Sequence, residues 1–141
     1  MKRSASAVWR GNLKEGKGAL TTDSGVLSQT PYSFVTRFEG VKGTNPEELI
    51  AAAHAGCFTM ALSAQLGNAG LVADSLETQA TLTMEKLEAG WTVTAIHLDV
   101  VARIPGAAQA AFETAANEAK AGCPISRLLK AEITMSARLA S

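Results

Sequence analysis

The residues best equipped for chemistry in this chain of 141 residues are its two cysteines, Cys57 and Cys123. A thiolate is intrinsically a strong nucleophile, and its sulfur climbs a defined oxidation ladder. Cys57 falls on the apolar stripe of a helical segment, where a free cysteine is ordinarily a small buried hydrophobe. Cys123 is set differently, between Gly122 and Pro124. With Pro124 as the first helical residue, Cys123 is the N-cap, where helix amides and the macrodipole favour a thiolate. Position alone leaves two readings open: inert buried thiols, or a redox pair. The wide separation of the two in sequence decides nothing, whereas a Cys-x-x-Cys spacing would have.

A thiol that reduces a peroxide needs helpers. A guanidinium must hold the thiolate and stabilise the leaving oxygen, and something must orient that guanidinium. A second thiol must then condense with the sulfenic acid before further oxidation. These parts are present. Arg37 lies in an otherwise apolar segment, Phe34-Val35-Thr36-Arg37-Phe38, read as strand. Glu47 and Glu48 open the helix that carries Cys57. With Asn45 as N-cap, Glu48 takes the N3 capping-box position and has a local duty. Glu47 at N2 is freer to pair with Arg37. At about 100° per residue, Glu47 lies about 80° from Cys57 around the axis and Glu48 about 180°. Glu47 is therefore the expected partner of Arg37, with Glu48 second. The offset along the helix from Glu47 to Cys57 is about 15 Å, a long reach for one arginine.

Two other patterns carry less. His54 sits three residues before Cys57, as in a Cys-His pair or half of a metal site. A metal needs about four ligands, and only His97 and Cys123 obviously remain, so a helix-packing or surface role is expected for His54. Residues 11–18, Gly11-Asn12-Leu13-Lys14-Glu15-Gly16-Lys17-Gly18, nearly spell a phosphate-binding loop. Gly18 stands where a hydroxyl should bind Mg²⁺, and strand follows rather than helix, so a hairpin turn with solvated lysines is expected.

The elements that position these residues follow from periodicity. Ala5, Ala7 and Trp9 alternate with polar neighbours, and residues 19–22 continue past the glycine-rich turn, so the chain starts as a hairpin. A third strand is expected over 32–38 and a loop over 42–46. From Glu47 to about Leu66 the period becomes helical, with Ile50, Ala53, Cys57, Met60, Ala61 and Ala64 on the expected apolar face. This helix is apolar around much of its circumference and is expected to be central and buried. Residues 67–70 end it. Two long strands follow, turning at Glu88-Ala89-Gly90, with a phase change near Ala95 that predicts a bulge. Helices are expected over 107–121 and 125–129, then a strand over 131–139. The order β-β-β-α-β-β-α-α-β is that of an α+β fold.

Composition bounds the partners. Thirteen basic and thirteen acidic residues cancel, with no Lys/Arg cluster, so nucleic acid is not expected as a partner. Aromatic content of 5% leaves few stacking surfaces. Apolar content of 47% excludes a disordered chain, and the length suits one domain over 1–141. No uninterrupted apolar run approaches the roughly 20 residues of a membrane span, so no membrane is expected. The start, Met1-Lys2-Arg3-Ser4-Ala5-Ser6-Ala7, lacks an apolar h-region, so no secretory signal is expected. Two cysteines are too few for a disulfide scaffold, and the location is read as cytoplasmic.

With Arg37, Glu47, Cys57 and Cys123 identified, the sequence resembles the OsmC/Ohr family of thiol peroxidases, in particular its OsmC branch. The likeness covers essentially the whole chain. It rests on Gly16-Lys17-Gly18, Ser24-Gly25-Val26-Leu27, Thr36-Arg37-Phe38-Glu39-Gly40 and Gly43-Thr44-Asn45-Pro46-Glu47-Glu48-Leu49-Ile50. Its strongest stretches are Ala52-Ala53-His54-Ala55-Gly56-Cys57-Phe58 and Ala121-Gly122-Cys123-Pro124-Ile125-Ser126. Gly56 departs from the alanine common before the cysteine. The resemblance implies an intertwined α+β homodimer, with antiparallel-rich sheets around two central cysteine-bearing helices. It implies reduction of organic hydroperoxides, with Cys57 as the peroxidatic thiolate, Cys123 as the resolving thiol, Arg37 activating Cys57 and Glu47 orienting Arg37. In this family the arginine can come from the partner subunit. The reductant implied is an external dithiol, often a lipoylated protein, and no cofactor or metal is implied. Periodicity suggests Phe58, Met60, Leu62 and Leu128 as lining of an apolar substrate pocket. Two rival readings accompany this one: a small-ligand-binding stress protein on the same fold, and a thiol redox sensor that reacts once rather than cycling.

Overall fold

A glycine-rich turn and a reciprocal helix cap shape the first 49 residues. The computed structural model describes residues 1–140, and its contacts divide into one compact unit, Met1–Leu49, and a second from Ile50 onward. In the first unit, β1 (Ala5–Arg10), β2 (Lys17–Thr22) and β3 (Thr30–Ser33) form an antiparallel sheet in that order. The near-phosphate-loop sequence is the β1–β2 turn, closed by Gly16 N–H donating to the Asn12 carbonyl at 2.9 Å. Gly18 has a different duty from phosphate binding. It pairs with Trp9 on one side and Tyr32 on the other, whose ring centroids lie 5.5 Å apart, and a Cβ there would overlap both rings.

The expected strand over 32–38 is corrected. The strand stops at Ser33, and the chain turns into a short helix, α1 (Phe34–Phe38), which carries Arg37. Ser33 is the N-cap. Its hydroxyl accepts from the Thr36 N–H, while Thr36 Oγ1 accepts from the Ser33 N–H at 3.0 Å. This capping box outweighs the β-propensity of the phenylalanines and Val35, and Phe34 and Phe38 stack one turn apart at 4.9 Å.

The long helix α2 (Pro46–Asn68) begins as expected, with Pro46 first and Asn45 Oδ1 accepting the Glu48 N–H at 2.8 Å. It ends in a Schellman motif: Leu71 N–H donates to Leu66 and Gly70 N–H to Gly67, with Gly70 at φ 71°. The buried stripe differs from expectation. His54, Phe58, Leu62 and Leu66 point inward. Ile50, Cys57 and Ala61 are half-buried, Ala53 and Ala64 are exposed, and Met60 is 77% exposed. The bulky side chains at four-residue spacing bury more apolar area than the alanines do and so take the inner face. With 23 residues and a mean hydropathy of 1.4 over an 18-residue window, α2 is long and apolar enough to span a membrane by composition. Polar residues such as His54 and Thr59 break its apolar run but do not lower that average much.

In the second unit, β4 (Ser75–Leu87) pairs antiparallel with β5 (Gly90–Arg103), and β5 pairs parallel with β6 (Glu132–Ala140). Thr83 pairs with Ala95 and Met84 with Val93, so Thr94 is the bulged residue, one position from that expected. A parallel pair needs a crossover, supplied by α3 (Gln109–Gly122) and α4 (Pro124–Leu128). Ile96, Leu98, Val100 and Ala102 of β5, Phe112 and three alanines of α3, and Phe58, Leu62 and Leu66 of α2 form one buried core. Cys123 belongs to it. The architecture is α+β.

Candidate active site

The α3–α4 junction aims Cys123 at α2. Cys123 is both C-cap of α3, donating its N–H to the Ala119 carbonyl at 2.9 Å, and N-cap of α4, with Pro124 next. Its side chain is fully buried; that of Cys57 is half-buried. The two sulfurs are 2.9 Å apart, joined by a thiol hydrogen bond, and both thiols are free. The structure thus brings together two residues that sequence spacing could not connect, within reach of a disulfide.

The two thiols are not equivalent. Burial pushes the Cys57 thiol up, contact with Cys123 adds to this, and the Ile125 N–H offsets only part of it. Burial pushes Cys123 up as well, but hydrogen bonding from Cys57, from the Ser126 and Ile125 amides and from the Ser126 hydroxyl outweighs it, so Cys123 moves down. No side-chain capping bond closes on the Cys123 sulfur.

His54 is fully buried, which settles its expected choice between packing and surface. Its Nε2 lies 2.7 Å from Ser126 Oγ, and its Nδ1 is buried with no hydrogen-bond partner. Burial lowers its pKa from the ordinary value, so the ring is neutral at pH 7. A buried N–H without an acceptor costs about 1–3 kcal/mol, so the proton belongs on Nε2, facing Ser126. Sequence reasoning missed Ser126. Its one local signal is its place three residues after the N-cap Cys123, the N3 position that faces a capping side chain.

The second pair forms within the first unit. Arg37 Nε and Nη2 both donate to Glu47 Oε1, at 2.9 and 2.7 Å. Glu47 Oε2 is buried without a hydrogen-bond partner among the described residues. Glu48 stays with the helix start, its N–H held by Asn45. Beside Arg37 is an apolar cleft of about 250 Å³ whose walls include Trp9, Leu13, Tyr32, Phe34 and Phe38. Of the lining expected from periodicity, Phe58 and Leu62 are instead core side chains, while Met60 and Leu128 lie at the surface. Among the described residues no three His, Cys, Asp or Glu side chains converge as a metal would require.

The model of the OsmC-like protein family matches residues 39–138. The chain is 51% identical over 139 residues to the Peroxiredoxin OsmC of Escherichia coli (strain K12), covering 99% of this chain and 97% of that protein. It is 28% identical over 123 residues to the Organic hydroperoxide resistance protein OhrB of Bacillus subtilis (strain 168), covering 86% and 88%. The crystal structure of the Bacillus subtilis OhrB is similar with a TM-score of 0.68 and 25% identity, covering 97% of this chain and 98% of that one. An OsmC-like protein from Vibrio cholerae O1 shares the fold with a TM-score of 0.78 at 18% identity, covering 98% and 99%.

Proposed function

Since the chain belongs to the OsmC-like protein family, with relatives named for peroxiredoxin function and organic hydroperoxide resistance, we propose that it is a cysteine peroxidase reducing organic hydroperoxides to alcohols through Cys57 and Cys123. The observation that carries this reading is the 2.9 Å approach of the two sulfurs. The Cys57 thiolate attacks the terminal peroxide oxygen. An S–O bond forms, the O–O bond breaks, and the leaving alkoxide takes a proton to become the alcohol. Cys123 then attacks the Cys57 sulfenic acid; the S–S bond forms and hydroxide leaves. A dithiol, with a lipoylated protein as the preferred candidate, reduces the disulfide.

Cys57 needs a cation to become the attacking thiolate, because burial opposes its charge. Arg37 supplies that cation, from its own or the partner subunit, and also stabilises the leaving oxygen. Glu47 orients it by holding the Nε and Nη2 edge, which leaves the rest of the fork for the reacting atoms. Both units serve one domain, a reading supported by the 51% identical relative, whose match covers 99% of this chain. The protein works as a homodimer. The support is the exposed apolar side of α2, with Met60 77% exposed and Ala53 and Ala64 beside it, a surface that a second copy would cover. It works in the cytoplasm, where both thiols stay reduced between turnovers.

The test is steady-state turnover of tert-butyl hydroperoxide against hydrogen peroxide, driven by dihydrolipoamide, with mass spectrometry of both cysteines. The organic substrate is expected to turn over faster, with Cys57–Cys123 disulfide as the oxidised form. Cys57→Ser protein that still turned over cumene hydroperoxide would overturn the reading.

A further inference from the structure

The proposed cycle ends when a dithiol opens the Cys57–Cys123 disulfide, and the two sulfurs differ in what can reach them. Cys123 is 0% exposed and belongs to the core that Phe58, Leu62, Ile96 and Phe112 help to build within the second unit. Cys57 on α2 is half-buried. Oxidation does not reverse this order. The sulfurs start 2.9 Å apart, and a disulfide needs about 2.05 Å, so the bond closes with a shift of about 1 Å or less. So small a shift does not lift Cys123 out of a close-packed interior. Assembly does not reverse the order either. Cys123 is enclosed by its own chain, so a second copy uncovers none of it, whereas Cys57 must stay open to hydroperoxide in any assembly that turns over.

We propose that the reducing dithiol attacks the disulfide at the Cys57 sulfur, so that the mixed disulfide forms on Cys57 and Cys123 is the leaving thiolate. This rests on the peroxidase reading and deepens it. Thiol–disulfide exchange depends on access and on which sulfur is attacked, and here access is one-sided. In the first step a thiolate of the dithiol forms an S–S bond with Cys57 Sγ, the Cys57–Cys123 bond breaks, and Cys123 departs as a thiolate and takes a proton. In the second, the reductant's remaining thiolate attacks its own sulfur in the mixed disulfide. A cyclic disulfide forms, and Cys57 leaves as a thiolate. Two electrons thus pass from the dithiol to the pair. Cys57 is the point of entry for both oxidant and reductant, and Cys123 meets neither. Between the two steps Cys123 stays beside Cys57 and can attack it again, which expels the reductant and restores the disulfide. A monothiol must meet a second molecule before that happens. A dithiol brings its second thiol at high effective molarity. The arrangement therefore favours a reductant whose two thiols can close a ring.

Full-length wild-type protein is oxidised with one equivalent of cumene hydroperoxide, and non-reducing mass spectrometry confirms the Cys57–Cys123 disulfide. Excess 2-mercaptoethanol is added, samples are quenched in acid at the earliest times, and peptide mapping locates the adduct. The adduct is expected on Cys57 in at least about tenfold excess over Cys123, a preference that urea unfolding removes by exposing both sulfurs. Where back-attack by Cys123 keeps the adduct scarce, single-cysteine variants read the same order. Cys57 in Cys123→Ser is expected to react with 2-hydroxyethyl disulfide at least about tenfold faster than Cys123 in Cys57→Ser, each rate taken relative to its value in urea. A smaller excess on Cys57, adduct mainly on Cys123, or equal relative rates in the two variants overturns this inference and leaves the peroxidase reading standing. Wild-type protein that forms no Cys57–Cys123 disulfide with hydroperoxide overturns the peroxidase reading and this inference with it.

Discussion

Glu47→Gln separates an orienting role for Glu47 from a stabilising one. Arg37 places two donors on the single oxygen Glu47 Oε1, at 2.9 and 2.7 Å, with the arginine side chain 38% exposed and the glutamate 16%. Two unit charges about 4 Å apart attract by about 4 kcal/mol at an effective dielectric constant of 20. Desolvation, side-chain ordering and solvent screening of the exposed guanidinium remove most of that, leaving about 1 kcal/mol or less. Glutamine keeps the shape and one acceptor oxygen, so the unfolding free energy is expected to fall by about 0.5–1 kcal/mol. Peroxide attack should suffer more than the fold does. A guanidinium no longer held along one edge samples orientations that do not face the sulfur, and a tenfold slower attack corresponds to about 1.4 kcal/mol of transition-state stabilisation. The assay pairs stopped-flow oxidation of Cys57 by cumene hydroperoxide with urea unfolding of the same preparation. Glu48→Gln is the control, because it removes the same charge from the adjacent residue, whose structural tie is its own N–H to Asn45. Attack within twofold of wild type in Glu47→Gln, or equal slowing in Glu48→Gln, would refute the reasoning.

Three further outcomes are expected. Cys123→Ser performs one round of hydroperoxide reduction and then stalls, with Cys57 sulfenic and sulfinic acid accumulating in mass spectra; continued dithiol-driven cycling at the wild-type rate would remove Cys123 from the cycle. Gly56→Ala raises stability by about 0.5–1 kcal/mol, seen as a higher urea midpoint, because a Cβ at this interior helix position meets nothing within 4 Å. Acid destabilises the fold through His54: burial lowers its folded pKa, so below about pH 6.5 the unfolded chain binds a proton that the folded one excludes, and stability falls as pH falls. His54→Gln should flatten that part of the stability–pH curve, and an unchanged acid slope would show that His54 is not its source.

Much of this arrangement was legible one element at a time. Asn45-Pro46 marks the start of α2, residues 67–70 its end, and Cys123-Pro124 the start of α4, because caps are local and their residue types are few. The bulge was placed within one residue because a phase change in alternation is also local. Phe34, Val35 and Phe38 favour β structure and so suggest a strand for Arg37, while the deciding signal, Ser33 with Thr36, is a cap with a threonine in place of the usual glutamate or glutamine. The inner face of α2 is not legible from periodicity, because a helix apolar on nearly every side gives it little to work with; side-chain bulk, in Phe58, Leu62 and Leu66, sets that face. The link from His54 to Ser126 spans 72 residues and leaves no trace in spacing. It exists only once α2 and α4 are packed around the same core.

The unequal thiols give that packing a chemical consequence. Two sulfurs 2.9 Å apart do not both ionise, since like charges at that distance oppose each other. The hydrogen bond from Cys57, the Ser126 and Ile125 amides and the Ser126 hydroxyl favour the one charge on Cys123, whose thiol moves down, while burial pushes the Cys57 thiol up. In the proposed cycle the charge must lie on Cys57 for the first step and on Cys123 for the second. The guanidinium that the proposal assigns to Cys57 meets the first requirement, because its full positive charge outweighs the partial charges of amides and a hydroxyl. The second requirement then needs no new group. Once Cys57 is a neutral sulfenic acid, it no longer competes for the charge, and the donors already around Cys123 stabilise the resolving thiolate. On this argument, removing the guanidinium slows attack, while weakening the donors around Cys123 slows resolution and eases the charge onto Cys57 for attack, so the two perturbations are coupled through the one charge they share.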